Sequence, residues 1–146
     1  ALFGTAVQTA VVMVVYLDEA FARYLREGAL YRGDLITALL PDTMTLAQRL
    51  DEGELSLRSW AEIGRCIRRF HDFGLCHADL NAHNILLRGD EEVFLIDFDR
   101  GRLRGPGLWR DANLARLYRS LEKLDDIRGQ RRLDEAQWQC LLAAWL

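Results

Sequence analysis

Lysine is almost absent from this chain: of its 19 Lys and Arg residues, only Lys123 is a lysine. Any chemistry that needs a lysine ammonium therefore has one candidate. Proline occurs twice, at Pro41 and Pro106, which leaves no room for a proline-rich linker. Cysteine occurs three times, at Cys66, Cys76 and Cys140, each in apolar surroundings. An odd, scattered set excludes a disulfide framework and predicts buried, reduced thiols in a cytosolic protein. Long hydrophobic runs are missing too. Ala6–Leu17 is apolar but short for a membrane span and carries Gln8 and Thr9, and no basic segment or A-x-A-like cleavage site accompanies it. Nor is there a surplus of positive charge: 22 Asp and Glu leave a formal charge of −3, which argues against a broad nucleic-acid surface.

What remains is a chain of 146 residues, 50% hydrophobic and 28% charged, enough for one core and too little for a second full domain. No internal repeat appears, and the first residue is not methionine, so the chain is expected to be incomplete at its start. Val11–Tyr16 is a β-branched apolar run that reads as a buried strand or a helix start. Ala29–Leu40 reads as one bent strand or two short ones, ended by Pro41-Asp42. Thr45-Leu46-Ala47-Gln48 is a capping-box pattern and predicts a short helix to about Leu50. Ser59-Trp60-Ala61-Glu62 repeats that pattern, and Trp60, Ile63, Ile67 and Phe70 form a helical stripe that stops at Gly74. Ile85–Leu87 and Glu92–Asp97 read as strands around a turn at Arg88-Gly89-Asp90. After a Gly- and Arg-rich loop, Arg100–Arg110, Asp111 is predicted to cap a helix bearing Leu114, Leu117, Leu121 and Leu124. Asp134 should start a last helix through Leu141 and Trp145.

The chemistry concentrates in His77-Ala78-Asp79-Leu80-Asn81-Ala82-His83-Asn84 and in Leu95-Ile96-Asp97-Phe98-Asp99. Two acidic residues and an asparagine sit on loops at the ends of short apolar strands. Metal-assisted phosphoryl transfer needs a carboxylate to orient a hydroxyl and take its proton, and a few hard oxygens to hold Mg²⁺. Asp and Asn also favour turns for backbone reasons alone, but three positions matching jointly within a longer string point to chemistry. The spacing of His71, His77 and His83 matches none of the usual zinc pairings.

The pattern H-x-D-x-x-x-x-N, a short hairpin, then D-F-x resembles the catalytic loop and metal motif of the protein-kinase-like fold. Tyr31–Thr37 (YRGDLIT), Phe70–Leu87 and Leu95–Arg104 resemble the 3-deoxy-D-manno-octulosonic acid (Kdo) kinase family more closely, over roughly Tyr31 to Lys123. The resemblance implies an α+β chain that is mainly a helical C-lobe with a small β hairpin, residues 41–146, preceded by remnant N-lobe strands in residues 1–40. It implies Asp79 as catalytic base, Asn84 and Asp97 as Mg²⁺ ligands, and Leu40, Leu86 and Ile96 about the adenine of ATP. His77 is expected to pack beneath Phe98 and to hydrogen-bond backbone. Asn81 and His83 could reach the γ-phosphate or acceptor sugar.

The implied acceptor is a Kdo sugar on a lipid A precursor, with a carboxylate and a phosphorylated carrier. Guanidinium forks suit both, which makes Arg100, Arg102 and Arg104 candidate acceptor contacts. Beside Trp109 they could also hold the protein peripherally on the cytoplasmic face of the inner membrane. The motif Asp97-Phe98-Asp99 departs from Asp-Phe-Gly, and no Ala-Pro-Glu segment follows, which argues against a protein substrate. A Gly-rich loop and its strand lysine should lie upstream, and Lys123 lies too far downstream to serve. An aminoglycoside- or choline-kinase-like enzyme, and a non-catalytic kinase lobe, are the alternative readings.

Overall fold

The computed structural model describes residues 40–53, 55–98, 100–129 and 133–146. The strands expected at Val11–Tyr16 and Ala29–Leu40 (Leu40 apart), the Tyr31–Thr37 string and the domain boundary at residue 40 lie at or outside the edge of that range. The described elements, in order, are β1 (Met44–Thr45), α1 (Leu46–Glu52), α2 (Leu57–Asp72), β2 (Leu75–Cys76), β3 (Ile85–Arg88), β4 (Glu92–Leu95), β5 (Arg102–Leu103), α3 (Trp109–Arg128) and α4 (Glu135–Trp145). This is the mixed α+β composition that the sequence implies.

The helices start where local chemistry favours a start. Thr45 caps α1 with a complete capping box to Gln48, and Asp134 caps α4 with the same device to Gln137. Two expected caps are displaced. Ser56, not Ser59, caps α2 by accepting from the Ser59 amide, and Ser59 Oγ instead donates to Asp90 in the β3–β4 turn. Asp111 lies in the first turn of α3, whose N-cap is Leu108. A carboxylate there still meets the positive end of the helix dipole. Helix α2 ends as expected: Gly74, at φ +83°, donates to the His71 carbonyl, a conformation that only glycine adopts without strain.

Strands β1, β3 and β4 form one antiparallel sheet with β3 central, pairing Thr45 with Leu86 and Leu86 with Phe94. The expected hairpin thus carries a third short strand. The segment after it supplies β5, which pairs back with β2 in a second, two-stranded ribbon where Leu75 faces Leu103 and Cys76 faces Arg102. The core lies where α2 packs on β4 and α4, with Trp60, Ile63, Ile67, Leu117, Leu121 and Leu141 sealed from solvent. Cys66 and Cys76 are buried free thiols, and Cys140 is half-buried.

Helices α2 and α4 are further joined by polar groups. His71 is buried, and its Nδ1 accepts from Trp145 Nε1 at 3.0 Å. Burial holds its pKa below the usual histidine value, with the nearby Arg110 charge acting the same way and an interaction with Asn113 opposing it. Arg68 reaches the Trp145 carbonyl at 2.5 Å. Their closest approach is at Gly64, where an added Cβ would overlap the Leu141 carbonyl oxygen. Helix preference alone would favour Ala over Gly by about 1 kcal/mol. Overlap with a backbone oxygen has no rotamer to relieve it, and overpacking costs about 1–3 kcal/mol. Against a rigid backbone oxygen the upper half of that range applies, so Gly64→Ala should destabilise the chain by about 1–2 kcal/mol net in urea unfolding. Gly105→Ala, where nothing lies within 4 Å of the added carbon, should stay within about 0.5 kcal/mol. An unchanged midpoint for Gly64→Ala would contradict this helix contact.

Candidate active site

The loop from His77 to Asn84 connects β2 to β3, and it is held by side chains from three directions. His77 Nδ1 accepts from the Asp79 amide at 3.1 Å, so its other nitrogen carries the proton and Nε2–H donates to the Ile96 carbonyl at 2.8 Å. One tautomer satisfies both bonds. The ring also stacks on Phe98 at 4.6 Å between centroids, and Phe98 meets Phe70 at 5.1 Å. From α3, Asn113 accepts from the His77 amide at 3.2 Å and donates to the His77 carbonyl at 3.0 Å. Two turns on, Ser120 Oγ accepts from the Ala82 amide at 3.1 Å.

Inside the loop, Asn81 organises the rest. Its Nδ2 donates to the Asp79 carbonyl and to Asp79 Oδ2 at 3.0 Å, and its Oδ1 accepts from the His83 and Asn84 amides. Asp79 Oδ2 is thereby fixed. Oδ1 faces Arg116 at 3.7 Å, an ion pair between half-exposed side chains. Such a pair adds little to stability, and its effect is to place a positive charge beside the carboxylate.

Asn84 is buried and donates Nδ2 to the Asp79 carbonyl at 2.9 Å, while its Oδ1 accepts no hydrogen bond among the described residues. Its backbone carbonyl accepts from the Ile96 amide at 3.0 Å, which brings the start of the 97–98 segment to the end of the loop. Asp97 follows at φ +65°, exposed, with no partner for its carboxylate among the described residues. A non-glycine residue in that left-handed region carries strain of about 1–2 kcal/mol, and Asp tolerates it better than most. Two free hard oxygens, the Asn84 amide and the Asp97 carboxylate, thus lie at neighbouring backbone positions and suit a Mg²⁺ ion, which takes few protein ligands. Among the described residues, no group of three or more His, Cys, Asp or Glu is set for a metal.

Two open clefts meet at Arg116. One, of about 420 Å³, is lined by Arg100, Arg102, Arg104, Trp109 and the backbone side of His77 and Ala78. The other, of about 460 Å³, holds Asp79, Asn81 and His83 against Arg119, Ser120 and Lys123. The structure thus gathers Arg100, Arg102 and Arg104 in one cleft and Asp79, Asn81 and His83 in the next. Leu40, Leu86, Asn84, Ile96 and Asp97 line neither. Leu86 is buried on β3, Ile96 is half-buried just past β4, and the Leu40 carbonyl accepts from Thr43 Oγ1 in the turn before β1.

Sequence reasoning missed the face of α3: Asn113, Arg116, Arg119, Ser120 and Lys123. Their spacing of three, four and seven residues puts them on one side of a helix, which a periodicity search for polar as well as apolar residues would have shown.

The family pattern described as "Lipopolysaccharide kinase (Kdo/WaaP) family" matches residues 8–145. Among similar proteins, the 3-deoxy-D-manno-octulosonic acid kinase of Xylella fastidiosa (strain M12) is 50% identical over 114 residues, covering 77% of this chain and 44% of that protein. The protein of the same name from Stenotrophomonas maltophilia (strain K279a) is 48% identical over 118 residues, 80% of this chain and 45% of its own length. That from Xanthomonas campestris pv. campestris (strain B100) is 49% identical over 117 residues, 78% of this chain and 46% of its own length. The chain thus spans about half the length of the curated relatives it matches. A match over nearly every residue, running through the His77–Asn84 loop and Asp97, shows that the chain belongs to the lipopolysaccharide kinase (Kdo/WaaP) family.

Proposed function

We propose that this chain carries the catalytic loop of an ATP-dependent kinase that phosphorylates a Kdo hydroxyl on a lipid A precursor during lipopolysaccharide core biosynthesis. In this reading residues 41–146 are the C-lobe of a protein-kinase-like fold and residues 1–40 belong to its N-lobe. The observation that carries it is the Asp79 carboxylate, held through Oδ2 by Asn81 with Oδ1 facing only Arg116, on a loop whose last residue, Asn84, holds the Asp79 carbonyl.

The acceptor hydroxyl hydrogen-bonds Asp79 Oδ1, which takes its proton as the acceptor oxygen bonds to the γ-phosphorus. The bond from that phosphorus to the β,γ-bridging oxygen breaks, and ADP leaves. Asn84 Oδ1 and the Asp97 carboxylate would hold Mg²⁺, whose contribution when bound is to neutralise phosphate charge. Leu40, Leu86 and Ile96 provide apolar surface for the adenine, and His83 stands in the cleft beside Asp79. Arg100, Arg102 and Arg104 receive an anionic group of the acceptor.

A glycolipid acceptor puts the site next to a membrane, on the cytoplasmic face of the inner membrane. Leu103 and Leu108 stand exposed among Arg102, Arg104 and Trp109, a combination that suits peripheral contact with an anionic surface. No helix among the described residues is long and apolar enough to cross a membrane.

Positioned acid–base groups contribute about 10²–10⁴-fold to rate. In phosphoryl transfer from Mg·ATP by the full-length protein, Asp79→Asn should lower kcat by at least about 10²-fold with the ATP KM nearly unchanged. Turnover retained in that variant would remove Asp79 from the mechanism. Replacing Arg100, Arg102 and Arg104 together by Gln should raise the acceptor KM about tenfold or more and leave the ATP KM alone. An unchanged acceptor KM would overturn their role.

A further inference from the structure

The cleft beside Asp79 carries more positive charge than the proposed reaction uses. Arg116, Arg119 and Lys123 project from one face of α3 and share its wall with Ser120. Other described cations are neutralised in part: Arg49, Arg58, Arg65, Arg68, Arg88 and Arg110 each lie within 4 Å of a carboxylate, whereas Arg69, Arg100, Arg102 and Arg104 have no such partner among the described residues. Arg119 and Lys123 have no carboxylate partner among the described residues, although the chain as a whole is acidic, at −3. Like charges three and four residues apart on a helix repel, at about 0.2–0.5 kcal/mol per pair. A merely solvated face would have no reason to collect them at one hollow that also contains the candidate base. Arg116 belongs to both clefts, so the arginines of the 100–104 segment line the cleft that adjoins the one holding Asp79 and the cations of α3.

We propose that the α3 cleft is a second anion subsite for the acceptor, formed by Arg116, Arg119 and Lys123, and that it takes a phosphate-type group. The acceptor is then a sugar derivative with two separated anionic groups, one on each side of the hydroxyl that Asp79 addresses. This rests on the reading of Asp79 as the group that activates the acceptor. Ser120 Oγ accepts from the Ala82 amide, which fixes it against the loop and leaves its O–H able to donate. Arg119 and Lys123 are exposed, so replacing them leaves the core untouched.

The test is calorimetric titration of the full-length protein and its Arg119→Gln/Lys123→Gln variant with two soluble probes. One is a deacylated Kdo–glucosamine disaccharide bearing phosphate, and the other is the same saccharide with the phosphate removed. The parent should bind the phosphorylated probe at least about tenfold more tightly than the dephosphorylated one, and the double variant should lose that preference. Its Kd for the dephosphorylated probe should stay within about twofold of the parent's. An unchanged preference in the variant, a parent with no preference or no binding, or a variant weakened equally for both probes would each overturn the subsite. A weaker Kd for ATP in place of acceptor would move the cations to the nucleotide and overturn it as well. Asp79→Asn turnover reports separately on the underlying reading, since the ratio of Kd values does not depend on whether Asp79 takes a proton.

Discussion

One imidazole sets the geometry on which the rest of this site depends. Because His77 must accept from the Asp79 amide at Nδ1, it must donate to the Ile96 carbonyl at Nε2. A single neutral tautomer therefore ties the loop that carries Asp79 to the strand end that carries Asp97. Asn113 grips both backbone groups of the same histidine, and Ser120 takes the Ala82 amide two helical turns further on. Helix α3 thus acts as a ruler for the loop, with its leucines in the core and its polar side against the backbone of residues 77–82. Asn81 completes the arrangement by fixing one carboxylate oxygen and leaving the other open. Each of these bonds is sheltered, and an unmade one would cost about 1–3 kcal/mol.

The electrostatics follow from the same placement. Among the described residues seven arginines have a carboxylate within 4 Å, and unpaired positive charge remains near one carboxylate, on the 100–104 segment and on α3. Neither group would be expected from stability alone, since unpaired like charges at close spacing are unfavourable. Both suit an anionic substrate whose charge must be met where the reacting hydroxyl sits.

Much of this was legible in residue patterns, and the misses have physical causes. The helix starts at Thr45 and Asp134 are legible in the sequence because the side-chain and backbone partners of each cap lie within four residues of each other. The pattern at Ser59 also satisfied S-x-x-E, yet Ser56 sits one turn earlier and takes the Ser59 amide, so local chemistry alone could not choose. The ribbon of β2 and β5 left no pattern, because two-residue strands are set by long-range bonds such as Arg104 to the Gly74 carbonyl. The packing of His77 against Phe98 followed from the family resemblance, whereas its grip by Asn113 did not. Asn113 and Ser120 carry no signal of their own beside the leucine stripe of α3, since hydropathy does not distinguish water from a backbone to be gripped. Lys123 lies too far along the chain for a strand lysine, and only the packing of α3 along the loop brings it to the cleft that holds Asp79.

The most direct test of this account is kcat for His77→Phe in the full-length protein. A phenyl ring keeps the stack on Phe98 but offers neither the Nδ1 acceptor nor the Nε2 donor. Loss of positioning without loss of binding should lower kcat by at least about 10²-fold while the KM values for ATP and acceptor stay within a few-fold. Parental turnover in a folded His77→Phe variant would show that the imidazole bridge does not set the geometry of Asp79.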